Sequence, residues 1–284
     1  MTQHSPASEA ENPADALAAD LALALRLADA ADAQSLPRFQ ADDLGITTKA
    51  DSSRVTDADL AVERAIRDLL AAERPEDGIF GEEFGSAAGT GAGENRQWII
   101  DPIDGTHGFL RGTPLWGTMI ALAIDGVPAV GVVSAPAIDG RWWASTGGGA
   151  WARNADGSAR RLAVSSVDRL EDATISFQSI TQWDGAGQLP ALIALTRRVW
   201  RDRAFGDVWP YMLIAEGQLE MVAEFGVAEY DIAAAVPIVR EAGGAFTAYD
   251  GVDTLSGRSS LATNGTLHQD FLDFLQQDHP DTLR

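Results

Sequence analysis

Two aspartates lie three positions apart in the segment WIIDPIDGT, residues 98–106. The apolar run that opens it, Trp98 to Ile100, has no polar alternation, which is typical of a strand buried on both faces. The proline after Asp101 disfavours helical backbone there, and Gly105 permits a close ligand approach that a Cβ would obstruct. Asp101 and Asp104 can then converge on one point, where their repulsion favours a bound cation, and oxygen ligands suit Mg²⁺. The alternative for this pair alone is a turn at Asp104 and a helix cap at Asp101.

Further acidic residues stand in two other segments. Glu82 and Glu83 lie between glycines after a short apolar pair, and Asp231 opens the alanine-rich segment YDIAAA. Taken together, the motifs GEE, DPIDGT and YDIAAA resemble the signature of the inositol monophosphatase-like, Mg²⁺-dependent and lithium-sensitive phosphatases. The resemblance runs from Leu21 to Phe274, and three motifs in this order are more specific than any one of them alone.

The resemblance implies a fold and a metal centre. The fold is a layered αβαβα sandwich, of the α+β or α/β class, and the cofactor is Mg²⁺, with two or three ions per site. The implied ligands are the carbonyl of Ile103 and four carboxylates, those of Glu82, Asp101, Asp104 and Asp231. Asp101 would bridge two ions, and a third ion would lie near Glu82. Relatives of this kind are commonly dimers, so the resemblance also implies a homodimer.

A further acid stands in the segment VTDAD, residues 55–59. The resemblance implies that Asp59 acts with Thr106 on the attacking water, with Glu82 sharing the work. The pattern alone also allows a structural role, because Asp59 stands three residues after Thr56, the predicted N-cap of a helix that runs to about residue 72. Lys49, the only lysine of the chain, is an electrostatic candidate, but a solvated surface lysine is the preferred interpretation.

Several residues are predicted to contact a substrate. A short helix after DPIDGT would place the amides of Gly105 and Thr106 at its N-terminus, where phosphate binds well. His107 follows directly, and it either touches the substrate or is an exposed residue at the helix start. The resemblance implies that Glu224 contacts the alcohol portion of the substrate, the alternative being a polar strand end. Asp207, together with Glu224, can accommodate a cationic amine.

The composition excludes several classes of protein. The net charge of −21 repels nucleic acids and anionic membranes. Because it also opposes a phosphate substrate, it is a further reason to expect bound metal. The chain has no cysteine, which excludes disulfides, a thiol nucleophile and sulfur-ligated zinc. It has neither the pattern of a signal peptide nor an apolar run near the roughly 18 residues of a membrane span, so a cytoplasmic enzyme is expected.

The pattern along the chain predicts three parts. Residues 1–13 are small and polar, and are predicted to form a flexible tail. Residues 14–164 carry hairpin signals such as Asp125-Gly126, and form an N-terminal metal-binding subdomain with an antiparallel sheet. In residues 165–284 strands alternate with helices, which indicates a C-terminal α/β subdomain. The Gly- and Ala-rich residues 86–95 predict a flexible loop, and Pro237 should kink a helix that spans it.

The predicted reaction is the hydrolysis of a phosphate monoester, with direct attack by water and no phospho-enzyme. Residues 108–117 and 205–212 resemble histidinol-phosphate phosphatases most. The predicted substrate is therefore histidinol phosphate, and the predicted role is in histidine biosynthesis. The alternatives are an inositol monophosphate and, after it, a bisphosphate nucleotide. A non-catalytic metal-binding protein is a further alternative, which the complete set of acidic positions opposes.

Overall fold

The computed structural model describes residues 13–49, 53–91 and 95–279, with the backbone alone for residues 13–16. The predicted tail, apart from Pro13, lies outside these residues. Helices in the described residues are α1 Pro13–Ser35, α2 Asp57–Glu73, α3 Thr106–Arg111, α4 Ile180–Gly185, α5 Leu189–Thr196, α6 Trp209–Ala215, α7 Glu229–Ile232, α8 Ala235–Glu241 and α9 His268–Leu275. None of them is both long and apolar enough to cross a membrane.

The strands of the described residues form three sheets. Those of the N-terminal half are β1 Ile46–Thr48, β2 Arg54–Thr56, β3 Gly78–Gly81, β4 Gly85–Ala87, β5 Arg96–Asp104, β6 Gly117–Ile124, β7 Val127–Ala135, β8 Gly140–Ser145, β9 Gly149–Arg153 and β10 Ala159–Arg161. Those of the C-terminal half are β11 Thr174–Ser176, β12 Arg201–Arg203, β13 Met221–Phe225, β14 Ala245–Thr247 and β15 Ser259–Thr263. The strand orders are β1-β2, β10-β9-β8-β7-β6-β5-β3-β4 and β12-β11-β13-β15-β14.

The eight-stranded sheet is antiparallel except where β3 and β5 pair in parallel. The hairpin of β6 and β7 turns at Asp125-Gly126, as the sequence predicts. In the five-stranded sheet β11 pairs in parallel with β12 and β13, while β15 runs antiparallel to β13 and β14. Parallel pairing sets Gly81, the last residue of β3, beside Ile100 of β5. Glu82, which follows β3, and the two aspartates in the last part of β5 therefore lie at the same end of the sheet.

Apolar burial arranges the elements in five layers. Helices α1 and α2 cover one face of the large sheet through Leu27, Ile66 and the residues around them. Helices α6 and α8 fill the space between the two sheets, where Met212 and Ile238 are buried. Helices α4, α5 and α9 cover the outer face of the smaller sheet. This confirms the predicted layered αβαβα sandwich, whereas a boundary between subdomains at residue 164 stays a prediction.

Two predictions about local structure are corrected. The predicted loop over residues 86–95 is wrong at Ser86 and Ala87, which pair with β3 as part of β4; residues 92–94 lie outside the described residues. The helix expected to kink at Pro237 is instead interrupted four residues earlier, between α7 and α8. A proline clashes with the carbonyl of the residue four positions before it, which here is Ala233, so the break falls there.

Candidate active site

Strand β5 delivers both aspartates of the DPIDGT segment to one point. It pairs with β6 through Asp101 and Met119 and again through Asp104 and Gly117, with an irregularity between them. The backbone N–H of Ile103 donates to Asp101 Oδ1 at 3.1 Å, which fixes that carboxylate inside the turn. No helix begins at Asp101, so the alternative of a helix cap there is wrong; α3 begins only at Thr106.

Three carboxylates come together at this turn. Asp101, Asp104 and Asp231 each offer one oxygen, and these atoms all lie within 4.8 Å of one another. Asp231 comes from the first turn of α7, where its Oδ2 accepts the backbone N–H of Ala228 at 2.6 Å. Asp104 Oδ2 is buried and has no hydrogen-bond partner. Converging carboxylate oxygens, one of them buried without a hydrogen-bond donor, are the ligand set that a hard divalent cation prefers.

Electrostatics support the same conclusion about a cation. Burial raises the pKa of Asp101 well above its usual value, and the charges of Glu82 and Asp104 raise it further. Burial likewise raises the pKa of Asp104, with Asp207 and Asp231 adding repulsion. Burial raises the pKa of Asp231 to about 6, although its hydrogen bond from the backbone opposes this shift. Without a counter-ion these groups repel one another, so the cluster is electrostatically matched to a divalent cation.

Glu82 follows β3 at the same edge of the sheet, but it is not one of the three grouped carboxylates. Its backbone N–H donates to the carbonyl of Ile100 at 3.1 Å, and its charge is near enough to raise the pKa of Asp101. Lys49 Nζ lies 3.0 Å from Glu82 Oε1 and 2.8 Å from Glu83 Oε1. The interpretation of Lys49 as a solvated surface residue is therefore wrong. Its ammonium forms ion pairs with the carboxylates of both Glu82 and Glu83.

The turn that carries Glu82 is held from behind by the buried carboxylate of Glu63. This carboxylate accepts the backbone N–H groups of Glu83 at 2.7 Å and of Phe84 at 3.2 Å. Arg67 donates to its Oε1 at 2.8 Å. A Cβ on the residue before Glu82 would fall 2.0 Å from that oxygen, so glycine at position 81 allows the Glu63 carboxylate to lie against the turn. Sequence reasoning missed Glu63, although its position one helical turn after Asp59 was visible.

Asp59 caps α2 and also lies beside Thr106, so its position is compatible with both of the roles that the sequence leaves open. Its Oδ2 accepts the backbone N–H of Thr56 at 2.8 Å as part of a capping box at the start of α2. Its Oδ1 lies 3.4 Å from Thr106 Oγ1, which also lies 3.0 Å from the carbonyl oxygen of Ile103. Burial raises the pKa of Asp59 to about 6 despite the hydrogen bonds from Thr56.

Two adjoining cavities flank the carboxylates. One, of about 370 Å³, is lined by Glu82, Gly105, Thr106, His107 and Asp207 among others, which places these predicted residues around one space. His107 is exposed, as its structural alternative predicts, and still lines this cavity. The other, of about 160 Å³, is lined by Asp104, Gln178, Gln182, Asp207, Glu224, Gly226, Val227 and Asp231. Asp207 belongs to both, so the two cavities meet there.

Glu224 is buried on β13 and is held by a hydrogen-bonded pair of hydroxyl groups. Tyr211 donates its hydroxyl to Glu224 Oε2 at 2.5 Å, and the same hydroxyl lies 2.6 Å from Ser260 Oγ. Burial raises the pKa of Glu224 to about 8. The sequence contained one signal for Tyr211, since it lies in residues 205–212, but gave none for Gln178, Gln182 or Ser260.

Comparison with known proteins shows extensive similarity. The sequence profile of the family described as the inositol monophosphatase family matches residues 16–279 of this chain. A histidinol-phosphatase of Mycobacterium tuberculosis is 51% identical over 253 residues, which are 89% of this chain and 96% of that protein. A histidinol-phosphatase of Streptomyces coelicolor is 48% identical over 91% of this chain and 97% of its own. The solved structure of an inositol monophosphatase from Zymomonas mobilis has a TM-score of 0.79 and 33% identity, and covers 92% of this chain and 99% of its own.

Proposed function

This chain belongs to the inositol monophosphatase family, and we propose that it is a divalent-metal-dependent phosphomonoesterase that hydrolyses histidinol phosphate to histidinol and phosphate. The observation that carries the proposal is the convergence of Asp101, Asp104 and Asp231 on one point beside cavities large enough for a small ester. Family membership supplies the reaction class, and the histidinol-phosphatases at 48% and 51% identity favour this substrate.

We assign the metal ligands as the family resemblance implies. Asp101, Asp104 and Asp231, together with Glu82 and the carbonyl of Ile103, would hold two or three Mg²⁺ ions. The buried, unpartnered Asp104 Oδ2 supports this assignment because such an atom calls for a cation or a donor. When bound, the ions supply positive charge that neutralises the phosphate ester and its developing alkoxide.

The chain's own residues prepare the attacking water. The Thr106 hydroxyl lies between Asp59 and the carbonyl of Ile103 and can donate a hydrogen bond to either oxygen. A lone pair of the hydroxyl is then free to accept a hydrogen bond from a water in the cavity of about 370 Å³. Asp59, with a pKa raised by burial to about 6, is suited to take up the proton that water loses near neutral pH. Glu82, on the wall of the same cavity, would share this work. The water oxygen forms a bond to phosphorus as its proton passes to Asp59, and the bond from phosphorus to the alcohol oxygen breaks. The alcohol oxygen takes up a proton from solvent water in the cavity, and Asp59 releases its proton to solvent.

Two alternatives differ in what they require of the site. An inositol phosphate presents neutral hydroxyl groups, and the inositol monophosphatase from Zymomonas mobilis is less similar to this chain, at 33% identity. A non-catalytic metal-binding protein would not need Thr106 and Asp59 in contact beside a cavity. The homodimer and the cytoplasmic localisation remain predictions; light scattering of the purified protein tests the first.

A panel of phosphomonoesters, compared by kcat/KM in MgCl₂, tests the proposal. Histidinol phosphate should exceed inositol 1-phosphate by at least about tenfold, which corresponds to roughly 1.4 kcal/mol of transition-state binding. Asp101→Asn should abolish Mg²⁺-dependent turnover while circular dichroism shows an unchanged fold. A preference for inositol 1-phosphate would refute the substrate, and wild-type activity of Asp101→Asn would refute the metal assignment.

A further inference from the structure

Four buried oxygens without a hydrogen-bond partner belong to residues around the smaller cavity. Among the described residues, the buried side-chain oxygens that lack a partner are Asp104 Oδ2, Gln178 Oε1, Gln182 Oε1 and Glu224 Oε1. All four residues line the cavity of about 160 Å³. Each unsatisfied buried acceptor costs free energy, and native proteins rarely tolerate several in one place. Their coincidence indicates a ligand that donates hydrogen bonds.

The metal assignment accounts for one of the four oxygens. Asp104 Oδ2 belongs to the grouped carboxylates, which leaves Gln178, Gln182 and Glu224. These three acceptors lie on different elements: Gln178 precedes α4, Gln182 is within α4, and Glu224 is on β13. The cavity therefore has a set of acceptors that is separate from the metal ligands.

Glu224 is a fixed acceptor. It is 2% exposed, and its Oε2 already accepts the Tyr211 hydroxyl, which is itself paired with Ser260. These contacts anchor Oε2, so Oε1 is the oxygen of Glu224 that is left for a ligand. Glu224 Oε1 consequently stays without a partner until a donor enters the cavity.

Gln178 is built into the cavity wall at a conformational cost. Its backbone φ is 48°, and that of Asp207, opposite it, is 57°; both lie in the left-handed region that non-glycine residues rarely adopt. The two side chains are joined by a hydrogen bond of 3.5 Å from Gln178 Nε2 to Asp207 Oδ1. A Cβ on Gly206 would lie 2.5 Å from Gln178 Cγ, so glycine is needed for the side chain to pass. Strain of this kind is concentrated at functional sites.

We propose that the smaller cavity binds a primary ammonium group of the substrate, and that Gln178, Gln182 and Glu224 accept its three N–H bonds. An ammonium has three donors and no acceptor, which matches three acceptors without donors. Its positive charge also favours the ionised, hydrogen-bond-accepting form of the buried Asp207 and Glu224 carboxyl groups, whereas the hydroxyl groups of an inositol carry no charge. The inference deepens the proposed function and rests on it, because histidinol phosphate carries such an amine.

The test crosses enzyme variants with substrate analogues. Gln182→Leu and Gln178→Leu are each compared with wild type on histidinol phosphate and on 3-(imidazol-4-yl)propyl phosphate, which lacks only the amine. Loss of a hydrogen bond to a charged group should lower kcat/KM for histidinol phosphate by about 10- to 100-fold, mainly through KM. The analogue without the amine should lose less than about twofold. Gln269→Leu, an exposed glutamine of α9, is the matched control and should change neither substrate.

A third substrate separates the two cationic parts of histidinol. The phosphate ester of 2-aminopropan-1-ol keeps the amine and lacks the imidazole ring, so it should show the same sensitivity to Gln182→Leu. Equal losses of kcat/KM on all three esters would mean that the glutamines only support the fold. Unchanged kcat/KM on all three would mean that they do not contact the substrate. A loss that follows the imidazole ring would overturn the assignment of the ammonium group.

A binding measurement keeps this inference separate from the proposed function. Calorimetry of histidinol against its analogue without the amine, on wild type and on Gln182→Leu, needs no turnover. Tighter binding of histidinol by wild type, reduced in the variant, supports the ammonium site even if another ester proves to be the best substrate. Equal affinities of wild type for the two alcohols overturn the site even if histidinol phosphate is hydrolysed.

Discussion

Replacing Asp104 by asparagine should stabilise the metal-free protein while it removes metal-dependent activity. Asp104 is 8% exposed, and one of its oxygens lies within 4.8 Å of oxygens of both Asp101 and Asp231. Burial and the neighbouring carboxylates raise its pKa, which means that the folded state disfavours its charge. Asparagine has nearly the same shape, removes the charge, and can donate N–H bonds to the remaining carboxylates.

The magnitude follows from Coulomb's law. Two unit charges 4.8 Å apart interact by roughly 3.5 kcal/mol at an effective dielectric constant of about 20. Because partial protonation relieves some of this repulsion, we expect a gain of about 2 to 3 kcal/mol at pH 8, or roughly 3 to 5 °C in Tm for a chain of this length. A raised pKa destabilises the folded state above the unfolded pKa of about 4. The gain should therefore be largest in alkaline solution and vanish as the pH falls toward 4.

Thermal unfolding followed by circular dichroism measures the effect, in EDTA and again in MgCl₂. The wild-type Tm should rise on adding Mg²⁺, and the Asp104→Asn Tm should be higher in EDTA and change little with Mg²⁺. Asp125→Asn is the matched control, since this exposed aspartate lies in the β6–β7 turn with a φ of 52° that asparagine accepts. A variant less stable than wild type in EDTA at pH 8 would refute the reasoning.

Three further perturbations test the surroundings of the metal ligands. Lys49→Met removes the ammonium that lies 3.0 Å from Glu82 Oε1, where it would compete with a cation for this carboxylate. The Mg²⁺ concentration that gives half-maximal turnover should therefore fall about threefold, and an unchanged or higher concentration would contradict such competition. Gly81→Ala places a Cβ 2.0 Å from Glu63 Oε1 and should cost about 1 to 3 kcal/mol in urea unfolding, with weaker Mg²⁺ binding; a neutral result would show that the Glu63 side chain moves aside without cost. Because burial raises the pKa of Asp231 to about 6, the affinity for Mg²⁺ should fall about tenfold per pH unit below 6. Equal Kd values at pH 5 and pH 7 by calorimetry would show that protonation of Asp231 does not compete with Mg²⁺.

Local signals in the sequence predicted the elements whose causes are local. The capping box of Thr56 and Asp59 is a contact three residues apart, and the β6–β7 turn needs only Asp125-Gly126. The apolar run before Pro102 predicted the strand that leads into the DPIDGT segment, although β5 continues past the proline to Asp104. The family resemblance then supplied what spacing alone does not, namely that Asp231 lies beside residues more than a hundred positions earlier.

Features that depend on tertiary contacts were not predictable in this way. Lys49 has the appearance of a surface lysine because its partners Glu82 and Glu83 lie more than thirty residues away. Gln178 has a left-handed backbone and its side chain contacts Asp207 and packs against Gly206, about thirty residues away, which no local pattern indicates. The ammonium pocket is therefore visible only once α4 and β13 are folded against each other.

The repulsion between these acids is offset by the burial of apolar residues next to them in the same strands and helices. Asp101 lies between the buried Ile100 and Ile103, Asp231 precedes the buried Ile232, and Glu224 follows the buried Ala223. Each of these apolar neighbours is 0% exposed, and full burial of an isoleucine contributes roughly 1.5 to 3 kcal/mol. The free energy gained by burying one such isoleucine is thus comparable in size to the repulsion between two of the carboxylates. The fold should consequently form before the cations bind, and the repulsion that remains is released only when they do, which is why Asp104→Asn should change both the metal-free stability and the response to Mg²⁺.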